Sequence, residues 1–177
     1  MFFYETKLNG AYIIEADPRK DDRGFFARAW CKKEFEEHGL DANIVQCNIS
    51  YNSKRGTLRG MHYQKNPYSE TKYIRCTKGS LYDVIIDLRE DSKTFCQWIG
   101  VELTEENKKA LYVPKGFAHG FQTLEDDTYV YYQVTEYYTS EAEGGVRWND
   151  PEFNIIWPIK KPIVISNKDN SWPLFKI

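Results

Sequence analysis

Three histidines, four cysteines and no apolar run of the roughly 18 residues that span a bilayer: the shortages of this sequence are informative. Cys31, Cys47, Cys76 and Cys96 stand 16, 29 and 20 residues apart, so no pair has the spacing of a zinc knuckle or a redox dithiol. A chain of 177 residues can bury a core without disulfides. Glu5 and Lys7 interrupt the first residues before an apolar run develops, so no signal peptide is expected. A cytoplasmic protein with reduced thiols is the expectation. Lysine and arginine number 24 against 26 acidic residues, a formal charge of −2. That balance leaves no electrostatic footprint for nucleic acid. Neither nucleic acid nor membrane is expected as a partner.

What is present is aromatic and β-branched. Aromatics make up 16% of the chain and hydrophobics 41%, with no polar tract, repeat or linker, so one domain over residues 1–177 is expected. The periodicity predicts one helix, residues 32–38, with Gly39 as its stop. Strands are predicted at 11–15, 24–30, 43–51, 57–64, 72–77, 80–88, 98–103, 110–113 and 128–138, with turns about every ten residues. Parallel sheets need crossovers of about a dozen residues, for which there is no room. The expectation is an all-β, double-sheet jelly-roll barrel with one short N-terminal helix. Thr128-Tyr129-Val130-Tyr131-Tyr132-Gln133-Val134 carries aromatics on both faces. One face is expected to line a cavity, the other to pack on the second sheet or a partner subunit.

The histidines differ in their surroundings. His38 ends the helix, where an imidazole can cap free carbonyls. His62 lies in Arg59-Gly60-Met61-His62-Tyr63-Gln64, where strand alternation puts Arg59 and Met61 on one face and Gly60, His62 and Gln64 on the other. His119 lies in Pro114-Lys115-Gly116-Phe117-Ala118-His119-Gly120-Phe121. Metal-binding jelly rolls pair two histidines one residue apart. His62 has no such neighbour, so no metal is expected. Polar residues interleaved with apolar strand positions, among them Gln46, Asn48, Lys72 and Tyr132, suggest a ligand cavity, because buried polar groups are costly unless paired.

These two strings resemble the sugar-nucleotide 3,5-epimerases typified by dTDP-4-dehydrorhamnose 3,5-epimerase. So do Asp22-Arg23-Gly24-Phe25-Phe26, Asp83-Val84-Ile85-Ile86-Asp87-Leu88-Arg89, Trp148-Asn149-Asp150-Pro151 and Ser166-Asn167-Lys168-Asp169. The resemblance implies a homodimeric cupin-type jelly roll that uses no cofactor and acts on a nucleoside diphosphate 4-keto-6-deoxyhexose. Its C4 ketone acidifies the protons at C3 and C5. By resemblance, His62 is the base, Asp169 orients its ring, Tyr132 donates a proton on the opposite face and Lys72 stabilises the enolate oxygen. Arg23, Arg59, His119 and Lys168 match positions that contact pyrophosphate or sugar. Gln46 and Asn48 match a polar pair, Tyr138 the aromatic that stacks on the base, and Glu143 a further substrate contact. Arg23, Gln46 and Asn48 are expected to reach across from the partner subunit.

Two departures stand out: Arg28 where the family usually has Glu, and Cys47 where it has Asp. If position 28 reads the base edge, an arginine suits the acceptors of cytosine and would favour a CDP-linked sugar. Alternatively, Arg28 points to solvent or forms an inter-subunit pair. Other readings are inversion at one carbon only, 3,4-ketoisomerisation, and a carbohydrate-binding β-sandwich. The ketoisomerase relatives favour closely paired histidines, absent here. The sandwich leaves His62, Lys72 and Asp169 unexplained.

Overall fold

The computed structural model describes residues 1–176. Two antiparallel sheets lie face to face. The first runs in the order β1 (Phe2–Glu5), β2 (Tyr12–Glu15), β10 (Lys109–Val113), β7 (Lys72–Lys78), β12 (Thr128–Val134), β5 (Gln46–Asn52). The second runs β13 (Glu143–Gly145), β6 (Thr57–Gln64), β11 (Phe117–Thr123), β8 (Ser80–Asp87), β9 (Trp98–Thr104). A two-residue strand, β14 (Val164–Ile165), runs parallel to the start of β6. The hairpin of β3 (Arg19–Asp21) and β4 (Gly24–Phe26) belongs to neither sheet. This is the expected double-sheet jelly roll.

Between the sheets lies an apolar core in which Ile74, Leu111 and Val130 of the first sheet meet Leu81, Ile85 and Phe121 of the second. Two further clusters cover the outer faces. Leu58, Met61, Val84 and Ile86 pack under Val146, Phe153 and Trp157 of the C-terminal segment. Ile14, Tyr73 and Tyr112 pack under Phe35 of helix α1 (Lys32–Glu37). That short helix is held by one fully buried side chain, Phe35, and stops at Gly39, whose φ of +71° suits glycine. His38 caps it, its Nδ1 lying 2.7 Å from the Glu34 carbonyl while the ring stacks on Phe3.

Alternation on the paired strands β5 and β12 sorts their side chains. Tyr132 pairs with Asn48 and Val134 with Gln46, and Tyr132 packs on the inter-sheet core. Directly opposed residues share a face, so Gln46, Asn48, Tyr132 and Val134 point inward. Cys47, Ile49 and Tyr51 then point outward with Tyr129 and Tyr131.

Several expectations need correcting. The run 128–138 is a strand only to Val134, because the chain turns there and the Tyr138 amide donates to Gln46 Oε1 at 2.8 Å. The strand expected at 43–51 begins at Gln46, and that at 24–30 ends at Phe26. The helix of residues 32–38 is not alone. A one-turn helix, α2 (Asn167–Asn170), is capped by Ser166, whose Oγ accepts the Asp169 amide at 3.0 Å. Ser-x-x-Asp is a recognised start signal for such a turn.

Candidate active site

The site begins with an irregularity in β6. Against β11, His62 pairs with His119 but Arg59 with Phe121. Three steps on β6 therefore match two on β11, which is a bulge. It overturns the strict alternation expected for residues 59–64. Met61 turns outward into the cluster with Leu58, while Arg59 and His62, three residues apart, both line one cleft. Gly60 makes the bulge possible. Its φ is +123°, and a Cβ there would meet the Gly120 Cα at 2.5 Å and the His119 carbonyl at 2.9 Å. Bulged residues leave the ladder, and the Gly60 amide instead donates to Asp169 Oδ2 at 3.2 Å.

Asp169 thus receives two donors from β6. Its Oδ1 lies 2.7 Å from His62 Nε2. Asp169 is buried while His62 is partly open, so the free Nδ1 is the imidazole nitrogen left for a ligand. Burial opposes ionisation of Asp169. The hydrogen bond and charge of His62, the Gly60 amide and the Ser166 cap outweigh it and hold the carboxyl below the usual aspartate range. The Trp172 ring stands edge-on to His62, centroids 6.2 Å apart. A depressed folded pKa contributes stability that is whole above about pH 4 and is lost as pH falls through the folded value. Thermal melts from pH 7 down to pH 2.5 should therefore fall less steeply on the acid side for Asp169→Asn than for the wild-type chain.

Tyr132 faces the interior from the opposite sheet. Burial raises its phenol above the ordinary tyrosine range; the charge of Glu70 adds to this and Arg59 opposes it, so the hydroxyl keeps its proton. Lys72 is mostly buried and forms an ion pair with Glu70. Arg59 Nε donates to Asn52 Oδ1 at 2.8 Å. His119 Nε2 lies 2.6 Å from Asp83 Oδ1. At the rim, Glu143 Oε2 accepts from Lys168 Nζ at 2.5 Å and from the Tyr138 hydroxyl at 3.0 Å. The cleft along β6 and α2 has a volume of about 320 Å³, with Arg59, His62, Lys168 and Asp169 in its wall.

The remaining expected residues fall elsewhere. Gln46 and Asn48 line the interior of their own chain, Gln46 holding the Tyr138 amide. This corrects the expectation that they reach across from a partner, because strand alternation turns them toward their own barrel. Arg23 sits at the tip of the exposed β3–β4 hairpin with its guanidinium on Asp21. Arg28 NH1 donates to Glu34 Oε1 at 2.8 Å, so it forms an ion pair within its own chain.

Sequence reasoning missed Glu70, Asp83, Asn52 and the Gly60 amide. Asn52 had a signal in the even-numbered polar series Gln46, Asn48, Ser50, Asn52. Glu70 had one in its two-residue offset from Lys72, which places both on one face of an extended segment. The register shift behind the Gly60 contact leaves no mark in composition.

A His–carboxylate pair with Arg59 and Lys168 around one cleft, and a buried tyrosine on the facing sheet, make this a jelly roll with an acid–base site. The family model described as dTDP-4-dehydrorhamnose 3,5-epimerase matches residues 5–176. The enzyme of that name from Methanothermobacter thermautotrophicus is 41% identical over 172 residues, covering 96% of this chain and 92% of its own. A crystal structure of the Bacillus anthracis enzyme with TDP and PPi bound superposes with a TM-score of 0.95 at 47% identity, covering 98% of this chain and 99% of that one. The Legionella pneumophila enzyme in complex with dTDP-4-keto-L-rhamnose gives a TM-score of 0.92 at 38% identity, covering 98% and 92%. This chain belongs to the dTDP-4-dehydrorhamnose 3,5-epimerase family.

Proposed function

We propose that the chain, as a single cupin-like unit, inverts C3 and C5 of dTDP-4-dehydro-6-deoxy-D-glucose to give dTDP-4-dehydro-L-rhamnose. The observation that carries this is the 2.7 Å contact between His62 and Asp169, with Tyr132 facing inward from the other sheet. His62 Nδ1 takes the proton from the carbon beside the ketone, and the C–H electrons move into an enolate with its charge on the C4 oxygen. Asp169 holds the ring by Nε2 and balances the imidazolium that forms. Tyr132 returns a proton to the opposite face, and solvent restores both groups. Lys72 stabilises the enolate oxygen, an interaction worth roughly 10²–10³ in rate for one donor. Arg59, Lys168, Tyr138, Glu143, Gln46 and Asn48 hold the pyrophosphate, sugar and base.

The dTDP-linked sugar is the substrate in this reading. The idea of a CDP preference rested on Arg28, whose guanidinium is engaged by Glu34. The direct test is turnover in D2O: deuterium should enter at both C3 and C5. Label at one carbon only would make the protein a mono-epimerase, and none at either would remove the function.

Two copies complete the site. The β3–β4 hairpin is hydrogen-bonded to neither sheet and leaves Phe26 77% exposed; a lone two-stranded hairpin is marginal in water. The outer face of β5 leaves Ile49 72% exposed. A partner covering both would bring Arg23 into the neighbouring cleft. Arg23→Ala and His62→Asn, each strongly impaired alone, should recover activity when unfolded and refolded as a mixture, because the hybrid dimer has one intact site. Failure to recover would place Arg23 outside the site.

A further inference from the structure

Gln64 follows His62 by two residues on β6 and shares its face, yet has no part in the chemistry described so far. It is 5% exposed, and its amide is engaged by backbone. Nε2 donates to the Tyr68 carbonyl at 3.0 Å and to the Tyr137 carbonyl at 3.1 Å, and Oε1 accepts the Thr139 amide at 2.7 Å. On the neighbouring strand β13, Glu143 pairs with Gln64 and Gly145 with His62.

Residues 137–139 depend on this grip. They follow β12 and belong to no helix or strand, so no ladder fixes them. Tyr137 and Tyr138 are 62% and 63% exposed, so packing holds their rings weakly. Position is left to hydrogen bonds. Gln64 takes the groups on either side of Tyr138, the Tyr137 carbonyl and the Thr139 amide, while Gln46 Oε1 takes the Tyr138 amide between them at 2.8 Å. Among the described residues, the other bonds to this stretch of backbone are local, to Glu136 and Ala142 and between Thr139 and Tyr137. A carboxylate at position 64 could accept but not donate, and a thioether does not donate. Held this way, Tyr138 reaches the rim of the cleft, where its hydroxyl donates to Glu143 Oε2 at 3.0 Å. Gln64 thus ties both partners of that contact to one strand position: Glu143 through the ladder and Tyr138 through its side chain.

We propose that Gln64 is a positioning residue that clamps Tyr138 at the mouth of the cleft and thereby sets affinity for the nucleotide part of the substrate, leaving the proton transfers untouched. This deepens the reading above, in which Tyr138 helps to hold the nucleotide, and rests on it. The separation of binding from chemistry follows from the contacts. His62 is held by Asp169, and Tyr132 lies within β12, before the clamped stretch begins. Glu70 Oε2 is the most distant of the four groups around the Gln64 amide, at 3.4 Å, and Glu70 pairs with Lys72 through its other oxygen. A Tyr138 released from Gln64 would have to be ordered by each ligand that binds, and that ordering weakens binding.

Calorimetry with dTDP as the probe, beside kinetics with the keto sugar, tests this. Tyr138→Ala should weaken dTDP binding by roughly 10- to 100-fold, the range of base–aromatic stacking. Gln64→Met, similar in size but without a donor, should weaken it about tenfold and raise KM in parallel, with kcat little changed. The double variant should bind no more weakly than Tyr138→Ala, because both changes remove the same contact. A Gln64→Met chain with a lower Tm but unchanged dTDP affinity has lost only stability, and that overturns the proposal. Additive losses overturn it too, as does a fall in kcat at constant KM. If Gln64→Met does not fold, the wild-type chain decides. Its Thr139 amide should exchange with deuterium far more slowly than a free-chain amide, and exchange at the free-chain rate overturns the clamp. Binding losses in both single variants support the clamp even if the wild-type chain places no deuterium at C3 or C5, in which case the epimerase reading alone falls. Turnover with a Tyr138→Ala variant that binds dTDP as tightly as wild type keeps the epimerase and removes the clamp.

Discussion

His62→Asn should lower kcat by roughly 10²–10⁴-fold, the usual contribution of a positioned general base, while leaving KM within a small factor. Asparagine can still offer a polar group to Asp169 and fills similar space, so neither folding nor binding should collapse. What it cannot do is take a proton from carbon. The decisive measurement is deuterium wash-in at C3 and C5 with the substrate in D2O. Both should slow together, because one base next to one ketone serves both carbons. If C3 exchange survives at the wild-type rate while C5 exchange is lost, a second base operates and the single-dyad mechanism is wrong. Asp169→Asn should lower kcat less, since the imidazole remains and loses only its orientation and the charge that balances it.

The second large effect is expected at Gly60, which has no side chain to offer a substrate. Gly60→Ala would place a Cβ 2.5 Å from the Gly120 Cα, a backbone atom that cannot swing aside, on a residue whose φ is +123°. Gly39→Ala is the natural control: its φ is +71° and nothing lies within 4 Å of the added Cβ. The control should show the intrinsic cost of a left-handed residue alone, about 1–2 kcal/mol. At roughly 2–4 °C per kcal/mol for a chain of this size, that is a small shift in Tm. Gly60→Ala should cost several times more. In any fraction that still folds, it should also separate His62 from Asp169, because the bulge that frees the Gly60 amide also sets the angle of β6. Equal Tm shifts for the two variants would mean that β6 accommodates the methyl and that the bulge is not needed.

That bulge also shows where sequence reading reaches its end. Most of the longer strands were legible, since turns about every ten residues and alternating polarity leave few alternatives to a double sheet, but β1, β3, β13, β14 and the central β11 that carries His119 were not foreseen. Residues 72–77 and 80–88 differ from the observed β7 and β8 by one residue at one end. Strand ends were less legible. The run 128–138 keeps its aromatic character past Val134, and only the Tyr138 amide meeting Gln46 shows that the chain has already turned. The even-numbered polar residues of β5 pointed inward as a period of two demands, yet assigning them to a partner subunit contradicted that period.

The sequence alone determined the architecture and the chemical inventory: an imidazole, a late aspartate, an interior tyrosine and lysine, and no closely spaced metal-binding histidines. Those follow from residue type and short-range spacing, which the chain carries locally. Only the tertiary structure decided which of these groups touch. His62 and Asp169 are 107 positions apart, and His119 and Asp83 are 36 apart. Such contacts depend on strand register, on a one-residue bulge and on a capped helical turn. A shift of one residue in any of them would turn the side chain to the other face while leaving the local pattern unchanged.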